Sequence, residues 1–194
     1  MRGRFIVVEG IDGNGKSTQS KLLARWLKKK GILVLLTHEP SRKTALGKKI
    51  TKLTKSKKLS SEKWLELFTK EREEHLRIEI MPALKKGITV ISDRYYYSTL
   101  AYQLPESRWK SYARRLMKPD LTLIFDAPEK IAMKRITKSR KHSKRAIFEN
   151  ENFLKTVRKK YLKMGQFREV RIIDAKPAPE KVFEEVKAEV KKIL

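Results

Sequence analysis

The stretch VVEGIDGNGKST, residues Val7–Thr18, places three glycines within six positions and follows them directly with a lysine, a serine and a threonine. It fits the pattern G-x-x-x-x-G-K-[ST], in which backbone N–H groups wrap around a chain of phosphates. Glycine reaches the backbone angles that such a loop requires at little cost. The apolar run RFIVV before the loop predicts a strand, and STQSKLLARWLKKK after it predicts an amphipathic helix. The motif requires this strand–loop–helix setting.

The side chains of this loop indicate a nucleotide site. Lys16 supplies a mobile cation for the β- and γ-phosphates, and Ser17 supplies a hydroxyl for Mg²⁺. The helix that begins near Lys16 adds free N–H groups and the positive end of its dipole. The predicted site for ATP or GTP comprises Gly10, Ile11, Asp12, Gly13, Asn14, Gly15, Lys16, Ser17 and Thr18. The loop alone leaves open which nucleotide binds and what is done with it.

The composition excludes several classes of protein. The 194 residues are enough for one domain with a real core. The sequence contains no cysteine, which excludes disulfides, thiolate metal sites and cysteine nucleophiles, and we expect an intracellular, cytoplasmic protein without a membrane anchor. Lys and Arg number 48 against 22 Asp and Glu, for a formal net charge of +26. Such a charge indicates either a strongly solvated surface or a partner that is a polyanion.

Five short apolar runs predict the strands of the fold. They alternate with segments of helical spacing, a pattern typical of a parallel sheet covered by helices. We therefore predict one α/β domain spanning residues 1–194: a three-layer, doubly wound, five-stranded parallel sheet of the P-loop NTPase type, with ligands at the carboxyl ends of the strands. The predicted strands are Arg4–Val8, Ile32–Leu36, Ile88–Ile91, Leu121–Phe125 and Val170–Ile173.

Phosphate-binding loops serve nucleotide kinases, GTPase switches and nucleic-acid motors, and the other strand ends discriminate among them. A GTPase would need a base-reading N/T-K-x-D motif, but TKSK at 54–57 lacks the aspartate. A motor would need an apolar run that ends in adjacent acids, and none of the five runs does. A small kinase needs a second phosphate-handling site that faces the first.

The third predicted strand ends in ISDRYYYSTLAYQ, which supplies such a site. Arg94 could hold an acceptor phosphate with paired donors, and Asp93 could bind Mg²⁺ through water. In a following helix, Tyr95, Ser98 and Thr99 would share one face with Tyr102. That face suits a sugar and a base, although a tyrosine stripe of the core is an equally good interpretation.

Five motifs stand in the order found in one family. They are FIVVEGIDGNGKSTQ, THEPS, LFTKEREEH, SDRYYYSTLAYQ and KRAIFEN, and VRIIDAKPAPEKV matches the family's usual ending. Over nearly its whole length the sequence resembles the thymidylate kinase family. The resemblance implies transfer of the γ-phosphate of ATP to dTMP, giving dTDP and ADP, with Mg²⁺ and as a homodimer. The long helix around Trp64–Leu84 is a possible dimer contact.

The resemblance also implies roles for individual residues. Asp12 would reach the 3′-hydroxyl of the acceptor and an arginine. Phe68 would stack on thymine and Arg72 would donate to a base carbonyl. Thr99 would read the base edge, and Tyr102 would crowd the 2′ position. The implied dTMP site comprises Asp12, Glu39, Pro40, Phe68, Arg72, Arg94, Thr99 and Tyr102.

Two positions depart from the usual pattern of the family. Gly13 stands where some members carry an arginine that reaches the donor phosphates, and other members supply that charge from a lid. Arg42 stands where a glycine is more common, so no role is carried onto it.

A basic segment fits the lid. From Lys134 to Arg145 there are seven basic residues and no acid, so we predict a mobile lid at about 134–149 that closes over the triphosphate. A solvated basic loop or a nucleic-acid patch is the alternative. Arg135, Arg140 and Arg145 are candidates for donor-phosphate contacts. The predicted catalytic set is Lys16, Arg94, Asp12, Arg140 and Arg145, and the predicted metal-binding pair is Ser17 and Asp93.

A general base is not required for this reaction, because the acceptor phosphate is already a dianion near neutral pH. The three histidines are scattered in sequence, which favours surface or structural roles. Two rival functions remain. One is another nucleotide or deoxynucleoside kinase of the same fold, and a nucleoside acceptor would need a carboxylate base that Glu39 or Asp93 could supply. The other is a nucleic-acid-binding ATPase, which would explain the net charge, but no aromatic residues are interleaved with the basic runs outside the nucleotide motifs, which argues against a nucleic-acid partner.

Overall fold

Five parallel strands form one sheet in the order β2-β3-β1-β4-β5. The computed structural model describes residues 2–56, 59–139 and 151–194. The predicted fold class is confirmed, and each strand lies within two residues of its predicted bounds. The strands are β1 (Phe5–Glu9), β2 (Val34–His38), β3 (Thr89–Asp93), β4 (Leu121–Asp126) and β5 (Val170–Asp174).

Helices connect the strands and cover both faces of the sheet. The helix at Ser61 continues through a π-helical segment, Leu76–Ile80, into the next helix, so the predicted long helix runs without a break to Lys85. The described α-helices are α1 (Lys16–Lys29), α2 (Ala45–Ser56), α3 (Ser61–His75), α4 (Met81–Lys85), α5 (Tyr96–Tyr102), α6 (Trp109–Ala113), α7 (Glu129–Ser139), α8 (Glu151–Lys163) and α9 (Pro179–Lys191).

The core explains why the central strand β1 is apolar from Phe5 to Val8. Phe5 and Val7 of β1 belong to the apolar cluster on one face of the sheet, whereas Ile6 and Val8 belong to the cluster on the other face. All four side chains are at most 1% exposed. Alternate residues of a strand point to opposite faces, so a strand covered on both sides must be apolar at every position. Each such side chain contributes roughly 1.5–3 kcal/mol by its burial.

The order of the strands sets the position of the site. Strand β1 is central and pairs with β3 on one side and β4 on the other. Val8 pairs with Asp93, so the glycine-rich loop after β1 begins beside the end of β3. The carboxyl edge of the sheet therefore brings Gly10 and Arg94 together, as the sequence predicts.

The predicted lid lies mostly beyond the described residues. Helix α7 extends to Ser139, so residues 134–139 form its last turns. Arg140, Arg145 and the motif KRAIFEN at 144–150 lie outside the described residues.

Candidate active site

The loop after β1 is shaped by close approaches of the backbone. Gly10 has φ 131° and Gly13 has φ 86°, a region that L side chains rarely adopt. A Cβ at Gly10 would lie 2.5 Å from the carbonyl oxygen of Phe125, and one at Gly13 would lie 2.3 Å from that of Ala132. The Asn14 side-chain amide donates to the same Phe125 oxygen at 2.7 Å. The loop thus rests directly on β4 and α7, and an arginine at position 13 would not fit this backbone.

Lys16, the first residue of α1, folds back over this loop. Its side chain is 6% exposed, and Nζ donates to the carbonyl oxygen of Ile11 at 2.9 Å. The Asp12 carboxylate lies 3.5 Å from Nζ. Burial, and then the charge of Arg94, lower the pKa of Lys16. The ammonium is therefore a poorly solvated cation held where the loop would wrap a phosphate.

Arg94 follows β3 and connects the loop to α5. Its Nη1 donates to the Ser98 hydroxyl at 2.9 Å and to the Gly10 carbonyl oxygen at 3.3 Å, and Nη2 donates to Asp12. Burial opposes the ionisation of Asp12, but the charges of Arg94 and Lys16 outweigh it and hold its pKa below the ordinary value. Arg94 also has φ 79°, a strained conformation of the kind that clusters at active sites and ligand clamps.

Glu9 is a buried acid of this site that our sequence reasoning missed. It is fully buried, and burial raises its pKa. It accepts from the Tyr95 backbone N–H, the Ser98 hydroxyl and the Tyr161 hydroxyl, each at 2.8 Å. An acid at the end of the apolar run FIVVE was the available signal. Glu9 fixes the start of α5 and thereby the partners of Arg94.

Ser17 and Asp93, the pair that the sequence predicts to bind a metal ion, lie next to each other. The Ser17 hydroxyl donates to the Asp93 carboxylate at 2.5 Å. Both are hard oxygen ligands of the kind that Mg²⁺ takes, usually one or two from the protein with water and phosphate for the rest. Within the described ranges, no group of three or more His, Cys, Asp or Glu could hold a metal ion. Ser17 and Asp93 fit a Mg²⁺ ion that would take its remaining ligands from water and phosphate.

Two of the three residues that the resemblance assigns to the base, Arg72 and Thr99, lie together in the structure, next to Glu39 of the implied acceptor pocket. Arg72 is 1% exposed, and its Nε donates to Glu39 at 2.8 Å. Its Nη1 donates to the Tyr112 hydroxyl at 3.0 Å, and Nη2 donates to Thr99 at 3.1 Å. Burial disfavours the charged guanidinium, but Glu39 outweighs this and raises the pKa of Arg72. These contacts fix the orientation of the guanidinium before any ligand arrives.

The two aromatic residues of the implied acceptor site lie in different places. Phe68 is partly buried beside Trp64, with ring centroids 5.6 Å apart, in the small apolar cluster between α2 and α3. Tyr102 lies 5.7 Å from the Arg94 guanidinium and 5.8 Å from the Phe153 ring. Tyr102 therefore lies beside Arg94, and Phe68 stands on the helix that carries Arg72.

Two cavities flank the glycine-rich loop. The larger, about 750 Å³, is lined by Lys16, Glu39, Pro40, Asp93 and Arg94. The smaller, about 540 Å³, lies on the other side, against Arg135 and the segment 175–179 after β5. Arg135 donates to the Ala175 carbonyl oxygen at 2.8 Å, so it supports the wall of this cavity. Our sequence reasoning missed the segment 175–179, although the rule that ligands collect at strand ends points to it.

Glu71 is a buried acid that supports one side of the larger cavity. Its Oε1 accepts from the Ser41 backbone N–H at 2.7 Å and from the Thr44 hydroxyl at 3.1 Å, so it holds the segment that follows Pro40. Burial, and then the nearby charge of Glu39, raise the pKa of Glu71 from 4.5 to about 7. Between these values the folded protein keeps a proton that the unfolded chain has lost, so Glu71 disfavours folding increasingly as the pH rises.

We therefore expect Glu71→Gln to stabilise the protein, most of all above neutral pH. Glutamine keeps the accepting oxygen and cannot ionise. The difference in the free energy of unfolding from wild type should be near zero in acid and grow to on the order of 3 kcal/mol above about pH 7. Thermal unfolding across this pH range measures it, with the exposed Glu73→Gln of the same helix as the control. A difference that does not change with pH would contradict the raised pKa.

No helix in the described part of the chain has both the length and the apolar character that a membrane span needs.

Comparison with known proteins agrees with the geometry. The family model described as Thymidylate kinase matches residues 8–186. The chain is 42% identical over 199 residues to a protein of Thermococcus gammatolerans named "Probable thymidylate kinase". The matched region covers 95% of this chain and 94% of the relative. A protein of the same name from Thermococcus onnurineus is 43% identical, with 95% of each chain covered. The "Thymidylate kinase" of Carboxydothermus hydrogenoformans is 38% identical, with 96% of each chain covered.

Proposed function

Because the chain belongs to the thymidylate kinase family, we propose that it transfers the γ-phosphate of ATP to dTMP, giving dTDP and ADP. The main support for this proposal is that one glycine-rich loop forms part of the wall of both cavities. Asp12, Gly13, Gly15 and Thr18 line both cavities. Two nucleotides placed on either side of this loop would meet with their phosphates end to end.

ATP occupies the smaller cavity in this proposal, and dTMP occupies the larger. The loop N–H groups and Lys16 bind the β- and γ-phosphates, and Arg94 binds the acceptor phosphate. Arg72 and Thr99 meet the thymine, and Asp12 meets the sugar. Glu39 and Pro40 form the base of the acceptor pocket, in keeping with their position in its wall. Arg72 and Thr99 are each 1% exposed and do not line the larger cavity. Their assignment to the thymine therefore rests on the family resemblance, as do Phe68 on the base and Tyr102 at the sugar.

The chemistry needs positioning and positive charge more than a base. The acceptor phosphate has its second pKa near about 6, so it is mostly a dianion at neutral pH. One of its oxygens forms a bond to the γ-phosphorus while the bond from that phosphorus to the β,γ-bridging oxygen breaks, and ADP leaves with the electron pair. The obstacle is the repulsion between the two anions. Lys16 and Arg94, both poorly solvated, oppose that repulsion in a site of low dielectric.

A magnesium ion completes this proposal. Ser17 and Asp93 would hold it, directly or through water, beside the donor phosphates. When bound, the ion neutralises charge on the β- and γ-phosphates. The predicted lid at about 134–149 would bring Arg140 or Arg145 to the same phosphates, and both assignments rest on the sequence alone.

A homodimer and a cytoplasmic location are further parts of the proposal. Ile78 and Met81 are 41% and 42% exposed on the continuous helix from Ser61 to Lys85. This is the helix that the resemblance implies for a dimer contact, and residues three positions apart on a helix lie on one side of it, where a partner would cover both. A chain without cysteine forms no disulfide bonds, which are the typical feature of proteins in oxidising compartments.

The experiment is a coupled ADP-release assay with dTMP, dUMP, dCMP, dGMP and thymidine as acceptors. We expect dTMP to give the largest kcat/KM. Equal rates for several monophosphates would indicate a less selective kinase of the same fold, and a preference for thymidine would indicate a nucleoside kinase. ATP hydrolysis that DNA or RNA stimulates in the absence of any acceptor would favour the ATPase alternative instead.

A further inference from the structure

A buried histidine beside the acceptor pocket has no part in the proposed chemistry. His75, the last residue of α3, is fully buried. Its Nδ1 lies 3.5 Å from Glu39 Oε1. Its Nε2 lies 3.0 Å from Glu79 Oε2 and 2.9 Å from the Thr37 hydroxyl. Each ring nitrogen therefore faces the carboxylate of a different glutamate.

The hydrogen bonds decide which protons the ring carries. The Thr37 hydroxyl donates to Glu79 Oε2 at 2.9 Å, so its oxygen is free to accept from Nε2–H of His75. Nδ1 faces Glu39 Oε1, and neither of these two atoms has a hydrogen-bond partner among the described residues. A neutral ring would direct a lone pair at one of the two carboxylates, which is unfavourable in a buried site. A ring protonated on both nitrogens satisfies both sides.

We infer that His75, held as an imidazolium, is a positioning residue for base recognition. It restrains Glu39 through Oε1, and the other oxygen of Glu39 holds Arg72 Nε at 2.8 Å. Arg72 in turn meets Thr99 at 3.1 Å. The restraint on Glu39 thus extends to the two residues assigned to the thymine. The inference rests on the proposed function, because it concerns the base that the acceptor carries.

The charges around the ring make this arrangement sensitive to pH. Burial lowers the pKa of His75, but the contact with Glu39 and the charges of Glu39, Glu71 and Glu79 outweigh it and raise the pKa above the ordinary value. The imidazolium is therefore present below that raised pKa and is lost as the pH rises through it. The ionisable groups packed around the ring are His38 of β2, Glu39 and Lys43 after β2, and Glu71, Arg72 and Glu79 on the helix.

Binding of thymidine tests the inference, because this probe carries the base without a titrating phosphate. We expect its affinity for the wild-type protein to fall roughly tenfold between about pH 6 and about pH 9. His75→Gln, which cannot carry the charge, should bind thymidine roughly tenfold more weakly at acid pH and show no such fall. The affinity for ATP should be unchanged in this variant. Glu71→Gln should keep a fall of the same size but move it to lower pH, because one of the charges that raise the pKa of His75 is gone. A fall that persists without the Glu71 carboxyl would be assigned to His75.

A second variant keeps the inference testable if His75→Gln does not fold. Glu79→Gln leaves the ring in place and removes the negative charge at Nε2, so the fall in thymidine affinity should move to lower pH. NMR titration of the His75 imidazole should show the same shift, and the exposed Glu73→Gln, which also removes one carboxylate from the helix, should leave both unchanged. If the wild-type protein prefers another nucleoside, the proposed function fails. The affinities of the wild type and His75→Gln are then compared across pH with that nucleoside in place of thymidine.

Three results would overturn the inference. The first is that His75→Gln binds thymidine as tightly as the wild type does. The second is that this variant loses affinity for ATP as much as for thymidine. The third is that the NMR titration of His75 and the fall in thymidine affinity do not shift in Glu79→Gln. The second result would mean that His75 supports the fold as a whole and has no particular link to the base.

Discussion

Replacing Lys16 by methionine should lower kcat by about a thousandfold while leaving the melting temperature unchanged or higher. Lys16 is buried over the phosphate-binding loop, where burial and Arg94 lower its pKa. A charge in such a place is costly for the folded protein but effective against phosphates, since little water competes with it. Methionine fills a similar volume without a charge. Activity and stability should therefore move in opposite directions or independently.

The measurements are steady-state kinetics with saturating ATP and dTMP, and thermal unfolding of the same preparations. Lys29→Met is the matched control, because Lys29 is an exposed lysine near the other end of α1. It should retain the kinetics of the wild type. Turnover of Lys16→Met within a few-fold of wild type would remove the central cation from the mechanism. A parallel loss of melting temperature would instead mark Lys16 as part of the fold.

The fold was predictable because its signals are local. Each strand is a short apolar run, and Phe5 to Val8 shows the reason: both faces of β1 are covered, so no polar position interrupts it. The loop from Gly10 to Gly15 was predictable for the same kind of reason, because a Cβ at Gly10 or Gly13 would collide with a carbonyl oxygen and both residues have positive φ.

The site was predictable only in part, because many of its contacts join residues far apart in sequence. The helix segment EREEH contains Glu71, Arg72 and His75, all buried, together with the exposed Glu73. Nothing local distinguishes Glu71 from Glu73; the difference is that the segment from Ser41 to Thr44 packs on Glu71. The expected structural role of the histidines thus agrees with the burial of His75, but its neighbours could not be read from the sequence.

Arg94→Lys should lower kcat/KM for dTMP by about a hundredfold although it keeps the positive charge. The guanidinium donates at once to Asp12, Ser98 and the Gly10 carbonyl oxygen, which lie in different directions. An ammonium on a flexible chain cannot span these partners and also present paired donors to a phosphate. Lysine has the same steric penalty at φ 79° as arginine, so the backbone strain does not change between the two proteins. Any effect therefore comes from the contacts of the side chain.

The comparison with Arg94→Ala separates charge from geometry. Alanine removes both and leaves the buried Glu9, 4.0 Å from Nη1, without this cation, so it should lose more activity than lysine and also some stability. The exposed Arg108→Lys makes the same chemical change away from the site and should behave as wild type. If Arg94→Lys kept the kcat/KM of the wild type, charge alone would suffice at this position. Paired donation to the acceptor phosphate would then have to be abandoned, because a point charge would serve as well.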